Sequence, residues 1–499
     1  MSTSRQYLKP RPEALARIDH IVVLMLENRS FDNLLGWLYE DEEPLRGQHF
    51  EGLHRGLSNP LDNIDPDGIR FTETVPIRKN GEPLPSRHGR KRAALSVDYR
   101  LPDPDPGEGF KHTNRQLFGH WEVPSLYPPE PTMNGFVNDY ADAMLYGTSS
   151  FGDPPSDPRN IMVCYTPEQV PVLSQLARSF AVCDHWFCSV PSQTLPNRDF
   201  VHAATSGGQV NNRPQPDCPA PTIFNRIQQA IESGRHDLSW RVYSGTQKGR
   251  PFSLTRTIMS ALHDRAFDHG FQAIEDFYRD ASDGTLPSYA FLEPQFSGPG
   301  QNDQHPNADI RPGEQLIADV YNAVRDSPLW EKTLLVITYD EHGGCYDHVR
   351  PPAGAAHPDG HSGGPGQMGF RFNRFGVRVP TVLVSPWIPF GTIARPYGYT
   401  PFDHTSVIAT VRNRFALGPP LTARDAKAPD LSCVLTLGAP RTDKPTVYPL
   451  PYEPPERDNL HELHLVLADA LARLRGSGRV DEQSLIAFIH EAYQQHFHG

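Results

Sequence analysis

Cysteine is scarce in this chain, six residues in 499, and the six share no repeated spacing. That excludes a disulfide framework and a zinc ribbon, and it leaves Cys183 and Cys188 as small core residues. Long hydrophobic runs are missing too. The longest, residues 21–26, falls far short of the roughly 20 residues that cross a bilayer. Residues 1–18 are polar, carry Pro10 and Pro12, and lack the apolar stretch of a secretory leader. The expectation is a soluble, cytoplasmic protein, with export by a route the sequence does not display left open. Positive charge is also in deficit, 47 Lys and Arg against 59 Asp and Glu for a net charge of -12. This argues against nucleic-acid binding and a polybasic membrane patch, and leaves at most transient contact with a membrane surface. A phosphate-bearing substrate would need a local cation.

Proline, in contrast, is abundant at 51 residues, roughly twice the usual share of about 5%. It clusters at 101–106, 127–131 and 450–455, which read as loops pinned in extended form. Residues 40–105 show neither helical nor strand periodicity and read as an irregular excursion between core elements. Residues 166–180 and 314–329 carry a helical pattern, each ahead of an apolar strand candidate, and Trp240–Ser244 repeats the alternation. The fold class is therefore α/β, a sheet with helices on both faces. Leu460, Leu463, Leu467, Leu471 and Leu474 fall on one helical stripe that Gly476 and Gly478 end, and a further helix is expected from Asp481 to about His496. The division expected is a catalytic domain over 1–440 and a short helical appendage over 441–499. No internal repeat is visible, and the oligomeric state stays open.

The chemistry concentrates where apolar runs stop. Residues 334–337 lead into Tyr339-Asp340-Glu341-His342-Gly343-Gly344, and two adjacent acids at the end of a buried strand call for a positive partner. In an open α/β sheet the carboxyl edge is where a metal or charged ligand sits. Residues 21–26 likewise lead into Glu27-Asn28, 288–292 into Glu293, and 379–384 into Ser385, so four runs are expected to aim polar residues at one surface. Thr194, in Gln193-Thr194-Leu195-Pro196-Asn197-Arg198, sits where a helix N-cap belongs, with Pro196 in the first turn. A hydroxyl there meets free backbone N–H groups and the positive end of the helix dipole, which suits a phosphoryl oxygen, and Arg198 adds a bidentate donor. The segment has the spacing of the sulfatase motif, but threonine cannot give the formylglycine aldehyde, so an alkoxide nucleophile is favoured. A threonine hydroxyl needs a metal or a base to ionise near neutral pH.

Five motifs stand in order: Asp19-His20-Ile21 through Glu27-Asn28-Arg29-Ser30-Phe31-Asp32, Met133-Asn134-Gly135-Phe136-Val137, the Thr194 segment, Tyr339 to Gly344, and Pro401-Phe402-Asp403-His404-Thr405-Ser406. Over about residues 18–415 the chain resembles the bacterial phospholipase C and acid phosphatase family, which includes the plant non-specific phospholipases C. The resemblance implies an alkaline-phosphatase-like three-layer α/β/α sandwich with a largely parallel central sheet. It also implies one divalent metal ion, surrounded by Glu27, Asn28, Thr194, Asp340 and Glu341, with Thr194 as nucleophile. Oxygen ligands with one carboxamide suit Ca²⁺, Mg²⁺, Mn²⁺ or Zn²⁺ alike. His305, in Asp303-Gln304-His305-Pro306, matches a family Asp/Glu-His-Pro motif and is the candidate to protonate the leaving alkoxide. His342 and His404 join the catalytic candidates, and Asp347 and His348 are expected to brace the metal loop. One departure stands out: many relatives carry His after Asp-Pro-Gly, where this chain reads Asp105-Pro106-Gly107-Glu108, with His112 and Gln116 beyond. Either Glu108 takes that polar role or His112 reaches in from the next turn.

The activity expected is metal-dependent hydrolysis of a phosphoester by a phosphoric ester hydrolase. The leading form is a phospholipase C acting on glycerophospholipids such as phosphatidylcholine through a phospho-Thr194 intermediate. Its alternatives are an acid phosphatase of the same family and a non-catalytic metal-binding relative. The aromatic stretches Asp184–Phe187 and Phe370–Phe375 are expected to line an approach for acyl chains.

Overall fold

The apolar runs become the middle of one sheet. The computed structural model describes residues 7–64, 67–83, 95–146, 157–212, 218–247, 250–298, 300–453, 462–475 and 485–497. Its central sheet holds β1 (His20–Leu26), β2 (Ala181–Val182), β3 (Trp240–Ser244), β4 (Phe271–Ala273), β5 (Tyr289–Glu293), β6 (Thr333–Tyr339), β7 (Thr381–Val384) and β8 (Thr392–Ile393). Their spatial order is β4-β3-β5-β1-β6-β7-β2-β8. Every strand but β7 runs in one direction. All seven residues of β6 and six of the seven in β1 are buried. Strands covered on both faces read as continuous apolar runs rather than alternating ones, which is why these two were visible in the sequence.

Register then puts chemistry at one edge. Leu26 of β1 pairs with Tyr339 of β6, and Leu24 with Leu292 of β5, so Glu27, Asp340 and Glu293 leave the sheet at neighbouring points. Ser385 does not join them. β7 is antiparallel, with Val384 paired to Leu335 near the start of β6, so Ser385 emerges at the opposite edge. Three of the four apolar runs, not four, therefore deliver polar groups to the site. Pro380 has no N–H to give a ladder, and β7 starts only at Thr381.

Helices cover both faces. They are α1 (Phe110–Phe118), α2 (Phe136–Tyr146), α3 (Pro171–Ser179), α4 (Thr194–Ala203), α5 (Ile223–Glu232), α6 (Ile274–Asp283), α7 (Arg311–Asp326), α8 (Thr405–Phe415), α9 (Glu462–Arg475) and α10 (Leu485–Phe497). α3, α6 and α7 pack together on one face, and α4, α5 and α8 on the other, giving a three-layer α/β/α arrangement. α3 and α7 occupy the two stretches whose pattern predicts helix, and each has a proline in its first turn. None of the helices among the described residues is long and apolar enough to cross a membrane. All six cysteines are buried and unbridged.

The stretch 40–105 is less irregular than its sequence suggests, because Ser58–Ile64 and Arg70–Pro76 form an antiparallel pair. At the other end of the chain, Leu463, Leu467 and Leu471 of α9 are buried. The Leu460, Gly476, Gly478 and Asp481 positions and the Leu474 side chain lie outside the described residues. The α9–α10 pair rests on the segment that follows β5. The His464 Nε2 lies 2.8 Å from the Phe296 carbonyl, His490 Nε2 lies 3.1 Å from Ser297 Oγ, and the Tyr493 and Phe252 rings meet at a tilt with centroids 4.9 Å apart.

Candidate active site

Beyond β1 the chain turns sharply at Asn28, whose φ is +54°, and this turn brings Glu27 and Asn28 over the end of β6. Asp340 anchors the crossing. Its Oδ1 accepts from the Asn28 N–H at 3.1 Å and from the Glu341 N–H at 2.8 Å. The Gly343 N–H in turn donates to Glu341 Oε2 at 2.7 Å. Gly343 and Gly344 have φ of +62° and +61°, and a Cβ on either would strike backbone. At 343 it would meet the Asn28 carbonyl oxygen at 1.9 Å, and at 344 the Gly107 carbonyl oxygen at 2.8 Å. Three loops thus close on the Gly-Gly pair.

Thr194 comes from the opposite side, at the first residue of α4. The N-cap is Gln193, not Thr194 as local preference predicts, and Gln193 makes no capping bond of its own. Asn212 does that work instead, its Oδ1 accepting from the Leu195 N–H at 2.8 Å. The Thr194 hydroxyl is consequently not spent on its own helix. It donates to Asn28 Oδ1 at 3.3 Å, and both residues are fully buried. Meanwhile Asn28 Nδ2 donates to Glu108 Oε1 at 2.7 Å, so the carboxamide oxygen is turned toward the threonine.

The acids stand close together with little to offset them. Glu27, Asp340 and Glu341 are fully buried. Burial pushes the Glu27 carboxyl well above its usual range; Arg198 opposes that shift, while Asp340, Asp303 and Glu341 add to it. Burial raises Asp340 too, against the pull of Arg198. Neither Glu27 oxygen accepts a hydrogen bond. A buried carboxylate without donors is costly, and hard oxygen donors converging at a strand edge are the set a divalent cation takes. The residues present therefore fit a metal ion.

Arg198 has a different place from the one its sequence position suggests. It is fully buried beneath the acids, with Nε donating to Asp340 Oδ2 at 3.0 Å, Nη2 3.3 Å from Glu27 Oε1, and the guanidinium 5.2 Å from the Phe296 ring centroid. It steadies the carboxylates rather than facing a substrate. His404 is likewise committed: its Nε2 donates to the Asp340 carbonyl at 2.5 Å, and its Nδ1 accepts from Trp186 Nε1 at 3.3 Å. Both nitrogens are engaged and burial pushes its pKa down to about 4, so His404 lies behind Asp340 as a neutral ring.

His305 is at the site. Its Nε2 lies 3.5 Å from Glu108 Oε1 and its Nδ1 3.8 Å from Asp105 Oδ1, and the ligand atoms of the three lie within 4.8 Å of one another. Glu108, then, occupies the position left open between two residues. His112 points elsewhere, 2.9 Å from Asp139 Oδ1 and edge-on to Trp121. His342 is fully buried, with Nε2 2.7 Å from Gln116 Oε1, and burial pushes its pKa down to about 4. Gln116 and Asp139 reach the site with no motif of their own, and His112 and Gln116, four residues apart, share one face of α1. Asp347 and His348 brace the loop through Asp32 and Arg378 and touch none of the five expected metal ligands. Arg378 donates from Nε to Asp347 Oδ1 at 3.0 Å and from Nη2 to Asp32 Oδ1 at 2.9 Å, and His348 Nδ1 lies 2.6 Å from Asp32 Oδ2. Of the aromatic stretches, Trp186, Phe187, Phe370 and Phe375 are buried core, while Phe372 lines a pocket with Gln209, His357 and Gln367.

Comparison with known proteins shows which family the chain resembles. The profile of the phosphoesterase family matches residues 18–418. Non-specific phospholipase C3 of Arabidopsis thaliana is 37% identical over 481 residues, covering 92% of this chain and 83% of that protein. Phospholipase C B of Mycobacterium tuberculosis is 28% identical over 473 residues, covering 86% and 80%. Among solved structures, a protein in the alkaline phosphatase superfamily from Vibrio parahaemolyticus aligns with a TM-score of 0.29 and 13% identity, covering 66% of this chain and 82% of that one.

Proposed function

This chain belongs to the phosphoesterase family, a family of phosphoric ester hydrolases, and on that premise we propose that it is a phospholipase C working through a phospho-Thr194 intermediate. The observation that carries the proposal is the Thr194 hydroxyl, released from helix capping by Asn212 and held against Asn28 at the mouth of a buried acid cluster. Glu27, Asn28, Thr194, Asp340 and Glu341 would hold one divalent cation. Bound there, the cation supplies positive charge that lowers the threonine pKa and offsets charge on the phosphoryl oxygens.

The chain's own residues do the rest. Asn28 aligns the Thr194 hydroxyl, and the positive end of the α4 dipole lies toward the phosphoryl oxygens. The threonine oxygen attacks phosphorus in line, the bond from phosphorus to the glycerol oxygen breaks, and diacylglycerol leaves with a proton supplied by His305. Glu108, 3.5 Å from His305 Nε2, holds that ring in place. Water then attacks the phosphothreonine on the reverse face, releasing the phosphorylated head group and restoring the hydroxyl. Arg198 keeps Glu27 and Asp340 fixed throughout. In this reading residues 1–440 form the catalytic domain, and the helical tail is an appendage to it.

The named relatives support a phospholipid substrate over a phosphomonoester. The test is incubation with phosphatidylcholine and with p-nitrophenyl phosphate, each with and without chelator, together with mass detection of the adduct on Thr194, phosphocholine from the first substrate and phosphate from the second. Diacylglycerol release that chelation stops, with a trapped phosphocholine ester on Thr194, is expected. Turnover of p-nitrophenyl phosphate alone would make the enzyme a phosphatase, and full activity in Thr194→Ala would remove the mechanism.

A further inference from the structure

Two loops carry large apolar side chains that the core does not take. The chain leaves the sheet after Leu26 of β1 and again after Tyr339 of β6, at the edge that holds Glu27 and Asp340; residues 121–130 lie on the first excursion and 364–373 on the second. The two meet at Ser125. Its Oγ accepts from the Arg371 N–H at 2.9 Å, and its carbonyl accepts from Asn373 Nδ2 at 2.8 Å. Beside that seam Leu126 is 56% exposed, Tyr127 83% and Met368 50%. Apolar side chains gathered on a surface mark a place where something apolar docks.

The second loop is tied to the nucleophile. Gln367 Oε1 accepts from the Val210 N–H at 2.9 Å, and Met368 Sδ lies 3.7 Å from Asn211 Nδ2. Asn211 Oδ1 accepts from the Phe110 N–H at 2.8 Å and from the Ser192 hydroxyl at 3.2 Å, and the next residue, Asn212, caps α4. Met368 is thus one side chain removed from Ser192, two residues before Thr194, and from Phe110, two residues after Glu108. The exposed tips stand on the rim of the site. Met368 is also held at a φ of +52°, in the left-handed region where glycine is at ease. Keeping a half-exposed methionine there costs stability, and strain of this kind gathers at functional surfaces.

We propose that Leu126, Tyr127 and Met368 form the surface by which the protein docks on a zwitterionic phospholipid bilayer, setting the mouth of the Thr194 site against the head groups. The proposal rests on the phospholipase C reading and adds the face that meets the lipid. Charge selects the kind of bilayer. With a net charge of -12 the chain as a whole is repelled by an anionic surface, so apolar insertion has to supply the attachment. Tyr127 suits the head-group level, where an aromatic ring with a polar tip is at home, and exposed Arg371 beside it suits a lipid phosphate. Pro124, Pro128 and Pro129 restrict the first loop, so little entropy is lost when its tip is held in a membrane.

The test uses the full chain with phosphatidylcholine unilamellar vesicles, read by sedimentation and by hydrolysis, beside a short-chain phosphatidylcholine kept below its critical micelle concentration, which needs no surface. Met368→Gly and the double variant Leu126→Ser, Tyr127→Ser are each expected to lower vesicle partition and vesicle hydrolysis about 10–100-fold, the scale of losing one or two buried apolar side chains. Their rates on the short-chain lipid should match the wild type. Met368→Gly removes the backbone strain, so its melting temperature should not fall, which separates lost docking from lost folding. Wild-type partition should survive high salt. Vesicle partition unchanged in both variants overturns the proposal, while short-chain hydrolysis keeps the phospholipase reading. A dimer in solution that the double variant splits, with partition unchanged, also overturns it and makes this face a subunit interface. Hydrolysis of neither phosphatidylcholine overturns the phospholipase reading, and vesicle binding that the variants abolish would still establish the docking surface.

Discussion

Two buried acid clusters flank the loop after β6, and they use the same residue types to opposite ends. Around Arg378, each carboxylate oxygen of Asp32 and Asp347 has a donor. The Asp32 oxygens take Arg378 Nη2 at 2.9 Å and the His348 N–H at 2.7 Å, and those of Asp347 take the Val349 N–H at 2.8 Å and the Asp32 N–H at 3.2 Å. Burial pushes Asp32 up, but His348 and Arg378 outweigh it and hold the carboxyl below its usual range, whereas burial and the neighbouring Asp32 charge push Asp347 up to about 6 against the pull of Arg378. Around Thr194, Glu27 has no hydrogen-bond donor, and its carboxyl is pushed well above that range. Both clusters set buried acids beside one buried arginine, Arg378 in the first and Arg198 in the second. Hydrogen-bond accounting separates them: one is a finished ion-pair network, the other is short of positive charge by about one ion.

That contrast can be broken from either side. The largest effect is expected from Thr194→Ala, a fall in turnover on the order of 10⁵-fold, the scale seen when a hydroxyl nucleophile is removed, with the melting temperature unmoved. Retained turnover would put both clusters in the same structural class. Next comes Arg378→Ala, which leaves Asp32 and Asp347 buried without their cation. Denaturant unfolding should show a loss of about 3–5 kcal/mol, the cost of breaking a buried ion pair. A loss below about 1 kcal/mol would mean that water or an ion already serves that cluster.

Glu27→Gln should do the reverse in the metal-free protein, raising stability by about 1–3 kcal/mol near pH 7.5, the range of an unsatisfied buried polar group. The sign follows from the raised folded pKa: the native state holds a proton that the unfolded state has released, so wild-type stability falls as pH rises above about 4.5. The gain should vanish at pH 4, and metal affinity should drop; an equal gain at both pH values would contradict the burial argument. The smallest effect belongs to His348. Burial lowers its pKa, but the Asp32 charge outweighs that and the net shift is upward. Its stabilisation is complete below the unfolded value of about 6.5 and is lost as pH rises through the folded one. His348→Gln should therefore cost about 1 kcal/mol at pH 6 and almost nothing at pH 9, read from thermal unfolding at the two pH values.

The same contrast explains what the sequence disclosed. β1, β5 and β6 were legible because strands buried on both faces are apolar throughout, and Glu27 and Asp340 because acids end those runs. The ordered motifs identified Thr194 and His305. What stayed hidden were relationships between loops far apart in the chain. Local preference makes Thr194 an N-cap, and only the Asn212 bond, 17 residues downstream, removes it from that duty. Motif position made Arg198 and His404 chemical candidates, whereas burial and their hydrogen bonds to Asp340 make them supports. Gln116 and Asp139 bear no local mark of their role, since it consists of orienting a ring more than 200 residues away. The direction of β7 was also invisible, because an apolar run has no polarity of its own.

The Gly343-Gly344 pair has a consequence for the mutational landscape of this enzyme. Neither residue carries a functional group, yet a single added carbon at 343 would lie 1.9 Å from the Asn28 carbonyl oxygen. Substitutions there would separate the β1 turn from the β6 loop and disperse the ligands without altering any of them. In a saturation library these two positions should be as intolerant as Thr194 itself, and excess cation should not rescue them. Inactive clones would then map to sites where chemistry has no stake, because the enzyme's tightest requirement at that point is empty space.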